Sequence, residues 1–265
     1  MAETTAELAQ YETDGNIATI RFNRPDKMNA FSDEMVIALQ ELLRCADIDD
    51  DIHAIILTGN GRCYTSGADV RQRQLRTAEE FKRLGGPQAP NANAGELLTK
   101  SINWKPIISA AHGYVLGLGI GILLQSDLIV CEEGTKIQVT EIPRGLDGAK
   151  YWGMLHWRGA GAFANEVTLT GRMFTAEEAL AHNLIDRVAP KGQHLEVAKD
   201  LARQVNKNPP LSIRGAVRTR RWYMDQFIRE VITMNAPYKY HLTEDFKEAA
   251  RAFVEKRPPA PFKGR

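Results

Sequence analysis

Two glycines flank a leucine at Gly117-Leu118-Gly119, inside the run Ile107 to Asp127, IISAAHGYVLGLGIGILLQSD. Ahead of them, Ile107-Ile108-Ser109-Ala110-Ala111 follows Pro106 and reads as a buried strand. His112-Gly113-Tyr114 turns the chain, and the glycines open a buried helix reaching about Ser126. The first N–H groups of a helix lack partners inside the helix and carry the positive end of its dipole. Glycine lets a ligand approach such a backbone closely. The chemistry this suits is the stabilisation of negative charge developing on an oxygen, as one half of an oxyanion hole. A buried helix packed closely against a sheet would carry the same pattern, and the stretch alone leaves both readings open.

Other reactive side chains are sparse. Cys45, Cys63 and Cys131 stand far apart with no CxxC or Cys/His spacing, so no metal site is expected. An odd cysteine count behind a polar, acidic N-terminus without a leader pattern fits a reducing cytoplasm. Glu141, between Val139 and Ile142, and Asp147, before Gly148, each read by themselves as turn residues.

The elements that must position these groups alternate along the chain. Ile17 to Phe22 and Ala54 to Gly59 read as strands, and Leu128 to Cys131 and Lys136 to Val139 as further ones. Ser32 is a helix N-cap, with Glu34 in the first turn of a helix ending near Cys45. Arg71 to Leu84 is helical in pattern, Gly85 to Asn93 is a loop that could act as a lid, and Glu96 to Trp104 is a helix. Beyond Ala149 the pattern turns helical, with helices over Thr175 to His182, Leu195 to Asn206, Leu211 to Met234 and Glu244 to Glu255. Strands alternating with helices predict an α/β core of parallel strands. At 265 residues, 43% of them hydrophobic, the chain can build one large core with a helical appendage. A net charge of +1 gives no global attraction to nucleic acid, and the one long apolar run contains His112 and several glycines, so no membrane span is expected.

Four pieces stand in order: Asn23-Arg24-Pro25 with Asn29-Ala30; Ser66-Gly67-Ala68-Asp69; Gly113-Tyr114 with Gly117-Leu118-Gly119; and Thr170-Gly171-Arg172. Together with the ending Ala252 to Pro258 and Phe262-Lys263-Gly264-Arg265, they resemble the enoyl-CoA hydratase/isomerase (crotonase) superfamily over nearly the whole chain. The resemblance implies a spiral of ββα units over residues 1–190. It also implies a C-terminal helical region, 191–265, for trimer contacts and pocket closure, with trimers pairing into hexamers. It implies an acyl-CoA thioester substrate and no cofactor, coenzyme A being part of the substrate. The thioester oxygen would be bound by the N–H groups of Ala68 and Leu118, with the Leu118 side chain turned away from the acyl group. Coenzyme A contacts would fall on Lys27, Met28, Ser66, Ala68, Asp69, Gly117 and Leu118. Lys27 would meet a phosphate as a point charge or remain a solvated surface lysine, and Phe262 and Lys263 would either reach coenzyme A or fray.

Hydratases of this family usually carry two glutamates. The second matches Glu141, whose apolar neighbours would raise its pKa toward the working range. The first matches Gly121, which has no side chain. One carboxylate can hydrate an enoyl-CoA or shuttle a proton as in a Δ3,Δ2-enoyl-CoA isomerase. A third route, C–C hydrolysis of a cyclic β-keto acyl-CoA, would recruit Asp147. His112 could hold its turn or touch substrate. Tyr64, Tyr151 and Trp152 could shape an acyl pocket or pack in the core, and Tyr238, Tyr240 and His241 could close it. Two non-enzymatic readings compete: a degenerate homologue that only binds acyl-CoA, and RNA binding through Arg214, Arg218, Arg220 and Arg221 with Trp222 and Tyr223, for which a solvated helix face is the plainer account.

Overall fold

The structure is a computed structural model describing residues 5–73, 75–77, 79–80, 83, 101–235 and 238–265. The loop at 85–93, much of the helix expected at 71–84 and the first part of the helix expected at 96–104 lie outside these residues. Residues 101–104, expected to end that helix, are irregular. Asp47 accepts the N–H groups of Ile102 and Asn103, and such local side-chain bonds compete with a helical ladder.

Strands β1 (Ala9–Asp14) and β2 (Ile17–Phe22) form an antiparallel hairpin across Gly15-Asn16. Parallel pairing then carries the sheet through β3 (Ala54–Gly59), β4 (Ile107–Ala111), β6 (Leu128–Glu132) and β9 (Arg187–Ala189). A smaller sheet joins β5 (Tyr114–Leu116), β7 (Lys136–Gln138) and β8 (Phe174–Thr175).

The middle of the large sheet is buried on both faces, which is why β3 reads as an unbroken apolar run. Ile55 and Leu57 face the main core, which also takes in residues of helices α2 (Asp33–Ile48) and α4 (Leu118–Gln125). Ile56, Ile108, Ala110 and Val130 face the other way, against Ala198, Leu201 and Ala202 of α8 (His194–Val205). The helical region set off at residue 191 therefore opens with a helix that covers the sheet. Short helices α1 (Thr5–Leu8) and α3 (Val70–Arg73) flank the early strands. Helices α5 (Ala149–Trp157), α6 (Gly161–Thr170) and α7 (Ala176–Ala181) follow β7, the last entered through a Thr175/Glu178 capping box.

Helices α9 (Pro210–Asn235) and α10 (Glu244–Glu255) complete the chain. Arg221 of α9 is fully buried; it donates to Asp127 Oδ1 at 3.1 Å and to the Lys105 carbonyl at 2.8 Å. Arg220 donates to the Ser126 carbonyl at 2.6 Å and pairs with Asp127 at 3.7 Å. Two arginines of the basic run thus face the interior, and Arg218 lies 6.0 Å from the Trp104 ring. The run forms no continuous phosphate-binding face. No described helix is long and apolar enough to cross a membrane.

Candidate active site

The loops after β2 and β3 are clamped by Asn29. Its side-chain amide donates to the carbonyls of Asn60 and Cys63, both at 2.8 Å, and its Oδ1 accepts from Arg24 N at 2.9 Å. Thr65 Oγ1 donates to the Asn29 carbonyl at 2.7 Å and accepts from Gly67 N at 3.0 Å. Asn29 was legible only as part of a motif; its φ of 53°, which asparagine tolerates better than most residues, marks it as a hub.

This clamp sets the first donor. Phe31 N donates to the Gly67 carbonyl at 2.8 Å, and Asp69 N to the Phe31 carbonyl at 2.9 Å. In a trans peptide the N–H points opposite to the C=O, so the Ala68 N–H is directed away from Phe31. The second donor lies alongside: a Cβ on Gly67 would sit 3.3 Å from Leu118 N and 2.5 Å from the Leu116 carbonyl, so only glycine fits. Leu118 is the first residue of α4, and its N–H has no partner within the helix. Its half-buried side chain packs on the main core.

Glu141 completes the cluster. A Cβ on Gly117 (φ 49°) would meet Thr140 Oγ1 at 2.5 Å and Glu141 Oε1 at 3.3 Å. The Glu141 carbonyl starts a 3-10 turn, accepting from Arg144 N at 3.0 Å and Leu146 N at 2.8 Å, but its carboxyl caps nothing. Oε2 is shut off from solvent and has no hydrogen-bond partner. Burial pushes the carboxyl up to about 7, against the pull of its own N–H, the Tyr151 hydroxyl and Arg144. Burial and the neighbouring Glu141 hold the Tyr151 phenol well above its ordinary value. The Arg144 guanidinium stacks 3.7 Å from the Phe253 ring centre.

Other candidates are engaged elsewhere. Asp69 pairs with Arg24 at 3.3 Å and accepts from Gln72 N at 3.4 Å, so its carboxylate holds loop to helix. Asp147 Oδ1 accepts from Ala149 N at 2.8 Å and Asn235 Nδ2 at 3.4 Å, while burial raises its pKa. Tyr64 is a core residue bonded to Ser109 at 2.8 Å. His112 bonds the Gly61 carbonyl at 3.0 Å and stacks on His194, holding its turn. Trp152 bonds Asn165 at 2.7 Å. Lys27 is exposed and Met28 half-buried, while Ser66 N bonds the Met28 carbonyl at 2.9 Å. Tyr238 and Tyr240 line a cavity of about 350 Å³ with Gly145, Leu146 and Thr243. The tail is pinned: Asp245 accepts from Lys263 N and Gly264 N, both at 2.7 Å. Among the described residues no three His, Cys, Asp or Glu side chains gather as metal ligands.

Two backbone donors beside one buried carboxyl can hold an enolate and move a proton. The family model for enoyl-CoA hydratase/isomerase matches residues 12–265. The (E)-benzylidenesuccinyl-CoA hydratase of Thauera aromatica is 30% identical over 267 residues, covering 96% of this chain and 98% of that protein. The 2,3-dehydroadipyl-CoA hydratase of Escherichia coli is 28% identical, covering 94% and 96%. A crystal structure of carnitinyl-CoA hydratase from Mycobacterium avium superimposes with a TM-score of 0.77 at 30% identity, over 98% of this chain and 99% of that one. The ordered glycines, the parallel sheet that carries them and these likenesses agree, and the chain belongs to the enoyl-CoA hydratase/isomerase family.

Proposed function

We propose that this enzyme hydrates a 2-enoyl-CoA with Glu141 as its single acid/base and the N–H groups of Ala68 and Leu118 on the thioester oxygen. The observation that carries this reading is the Glu141 carboxyl, buried against Gly117 at the start of α4 and raised to about 7. As a carboxylate it takes a proton from water while the water oxygen bonds C3. The C2=C3 electron pair moves toward the thioester, whose oxygen becomes an enolate oxyanion. Glu141 then returns the proton to C2, so the elements of water add across the double bond and the base is regenerated. Fixed donors act on charge that develops only along this path, and losing one costs about 3–4 kcal/mol of barrier.

Coenzyme A arrives as part of the substrate and no separate cofactor is needed; Lys27, Met28, Ser66 and Ala68 border the loops it would contact. The names of two relatives, built on succinyl and adipyl groups, make an unsaturated dicarboxylic acyl-CoA the first class to assay. Apolar side chains exposed on α9 and α10, among them Leu211, Trp222, Met234 and Phe253, support assembly into a trimer or a pair of trimers. The free thiols suit a reducing cytoplasm. A Δ3,Δ2 isomerase is the second reading, favoured by the missing side chain at 121, since one carboxyl suffices to carry a proton between C4 and C2.

The test is turnover in heavy-oxygen water with crotonyl-CoA, 2,3-dehydroadipyl-CoA and a 3-enoyl-CoA, with Glu141→Gln as control. Label gained on a 2-enoyl substrate and lost in the variant supports hydration. Conversion of the 3-enoyl substrate without label supports isomerisation. Unimpaired turnover by Glu141→Gln overturns both.

A further inference from the structure

The space beside Gly121 is taken by a residue thirty positions later. A Cβ built on Gly121 would lie 3.2 Å from Tyr151 Cε1 and 3.9 Å from the Tyr151 hydroxyl oxygen. Tyr151 sits in the first turn of α5, only 8% exposed, and its ring belongs to the main core. Its hydroxyl is among the groups that favour the charged form of the Glu141 carboxyl, and the buried Oε2 of that carboxyl has no hydrogen-bond partner. Ring and glycine therefore meet: the volume that a side chain at 121 would enter holds the Tyr151 ring.

We propose that Tyr151 is a positioning residue standing in for the side chain absent at 121, its ring filling the volume beside Gly121 and its hydroxyl orienting the Glu141 carboxyl for proton transfer. This rests on the one-glutamate reading and adds a division of labour to it. The phenol stays protonated, so it donates a hydrogen bond and takes no proton away. Both transfers, off water and onto C2, then pass through Glu141, which fits addition of H and OH to one face of the double bond. The Tyr151 hydroxyl also favours the carboxylate, keeping more of Glu141 in its basic form near neutral pH.

The experiment compares wild type, Tyr151→Phe and Glu141→Gln in steady-state kinetics on crotonyl-CoA and 2,3-dehydroadipyl-CoA from pH 5 to 9. The Glu141 carboxyl is also titrated by carbon NMR of labelled protein, its signal assigned by its loss in Glu141→Gln. Tyr151→Phe keeps the ring, and its melting temperature serves as the check on folding. The expected result is a kcat lowered about 10- to 100-fold with KM changed less than about threefold. The acid limb and the NMR titration of Glu141 should both move above 7. A variant whose kcat and titration match wild type overturns the role of Tyr151 while leaving Glu141 in place. A loss of kcat with an unmoved titration overturns it too, because packing alone would explain that. Full activity in Glu141→Gln removes the reading beneath it. Where neither substrate turns over, the NMR titration decides by itself.

Discussion

The side-chain amide of Asn29 donates to the carbonyl oxygen of Cys63 at 2.8 Å, tying two loops 34 residues apart. The same amide serves Asn60, and both loops lead to the residues around Ala68. In Asn29→Ala, the buried Cys63 acceptor loses its donor and alanine is held at a positive φ. Each buried group left unpaired costs about 1–3 kcal/mol, and the φ about 1 kcal/mol more. Urea unfolding should show a loss of about 3 kcal/mol, with kcat falling more than KM rises.

Glu141 ties activity and stability to pH in opposite directions. As the base in hydration it works as a carboxylate, so kcat should fall as pH drops through about 7. For folding, the native carboxyl holds its proton more tightly than the unfolded chain does, 4.5 being the ordinary value. Stability from this group is complete below that value, declines as pH rises toward 7 and levels off above. Glu141→Gln removes the effect. Its stability relative to wild type should grow from pH 4.5 to 7.5 by on the order of 3 kcal/mol, as read by denaturation at each pH.

Gly121→Ala should test how closely the Tyr151 ring is fitted. The new methyl would approach Tyr151 Cε1 at 3.2 Å, so the ring must shift by a few tenths of an ångström. A stability change within about 1 kcal/mol, as for modest overpacking, is expected, together with a several-fold lower kcat on any enoyl-CoA the wild type hydrates.

Arg221 meets Asp127 inside the chain, and Asp127 also accepts from Ile107 N at 2.8 Å at the start of β4. Removing the cation strips the buried carboxylate of its closer charge partner and leaves it only Arg220 at 3.7 Å. Arg221→Ala should destabilise by about 3–5 kcal/mol in thermal or chemical unfolding. Arg218→Ala, on the exposed side of the same helix, should change stability by less than about 0.5 kcal/mol.

Local signals were the legible part of the fold. Ser32 caps α2 through its bond from Met35 N at 3.2 Å, and Thr175 opens α7, because a cap is written in residues three apart. The glycines at 117 and 119 and the apolar run of β3 carried their placement for similar reasons. Strand β1 carried little signal: Gln10, Glu12 and Asp14 are polar and exposed at the sheet edge, and only pairing with β2 makes it a strand. The ion pairs of Arg220 and Arg221 with Asp127 span 93 and 94 residues, so the basic run looked like a surface until the fold turned it inward. Tyr151 against Gly121 is of the same kind. An empty position and a large ring are unrelated in sequence, and only the packing of α4 on α5 makes them one feature.

The neighbours of the two proposed donors have a consequence for how such a site drifts. A side chain at Gly67 would strike the Leu116 carbonyl, and one at Gly117 would strike Thr140. The groups offered to substrate at 68 and 118 belong to the main chain and survive any replacement except proline. A saturation library should therefore find intolerance at the glycines 67 and 117, while every replacement but proline at 68 and 118 keeps the N–H group in place.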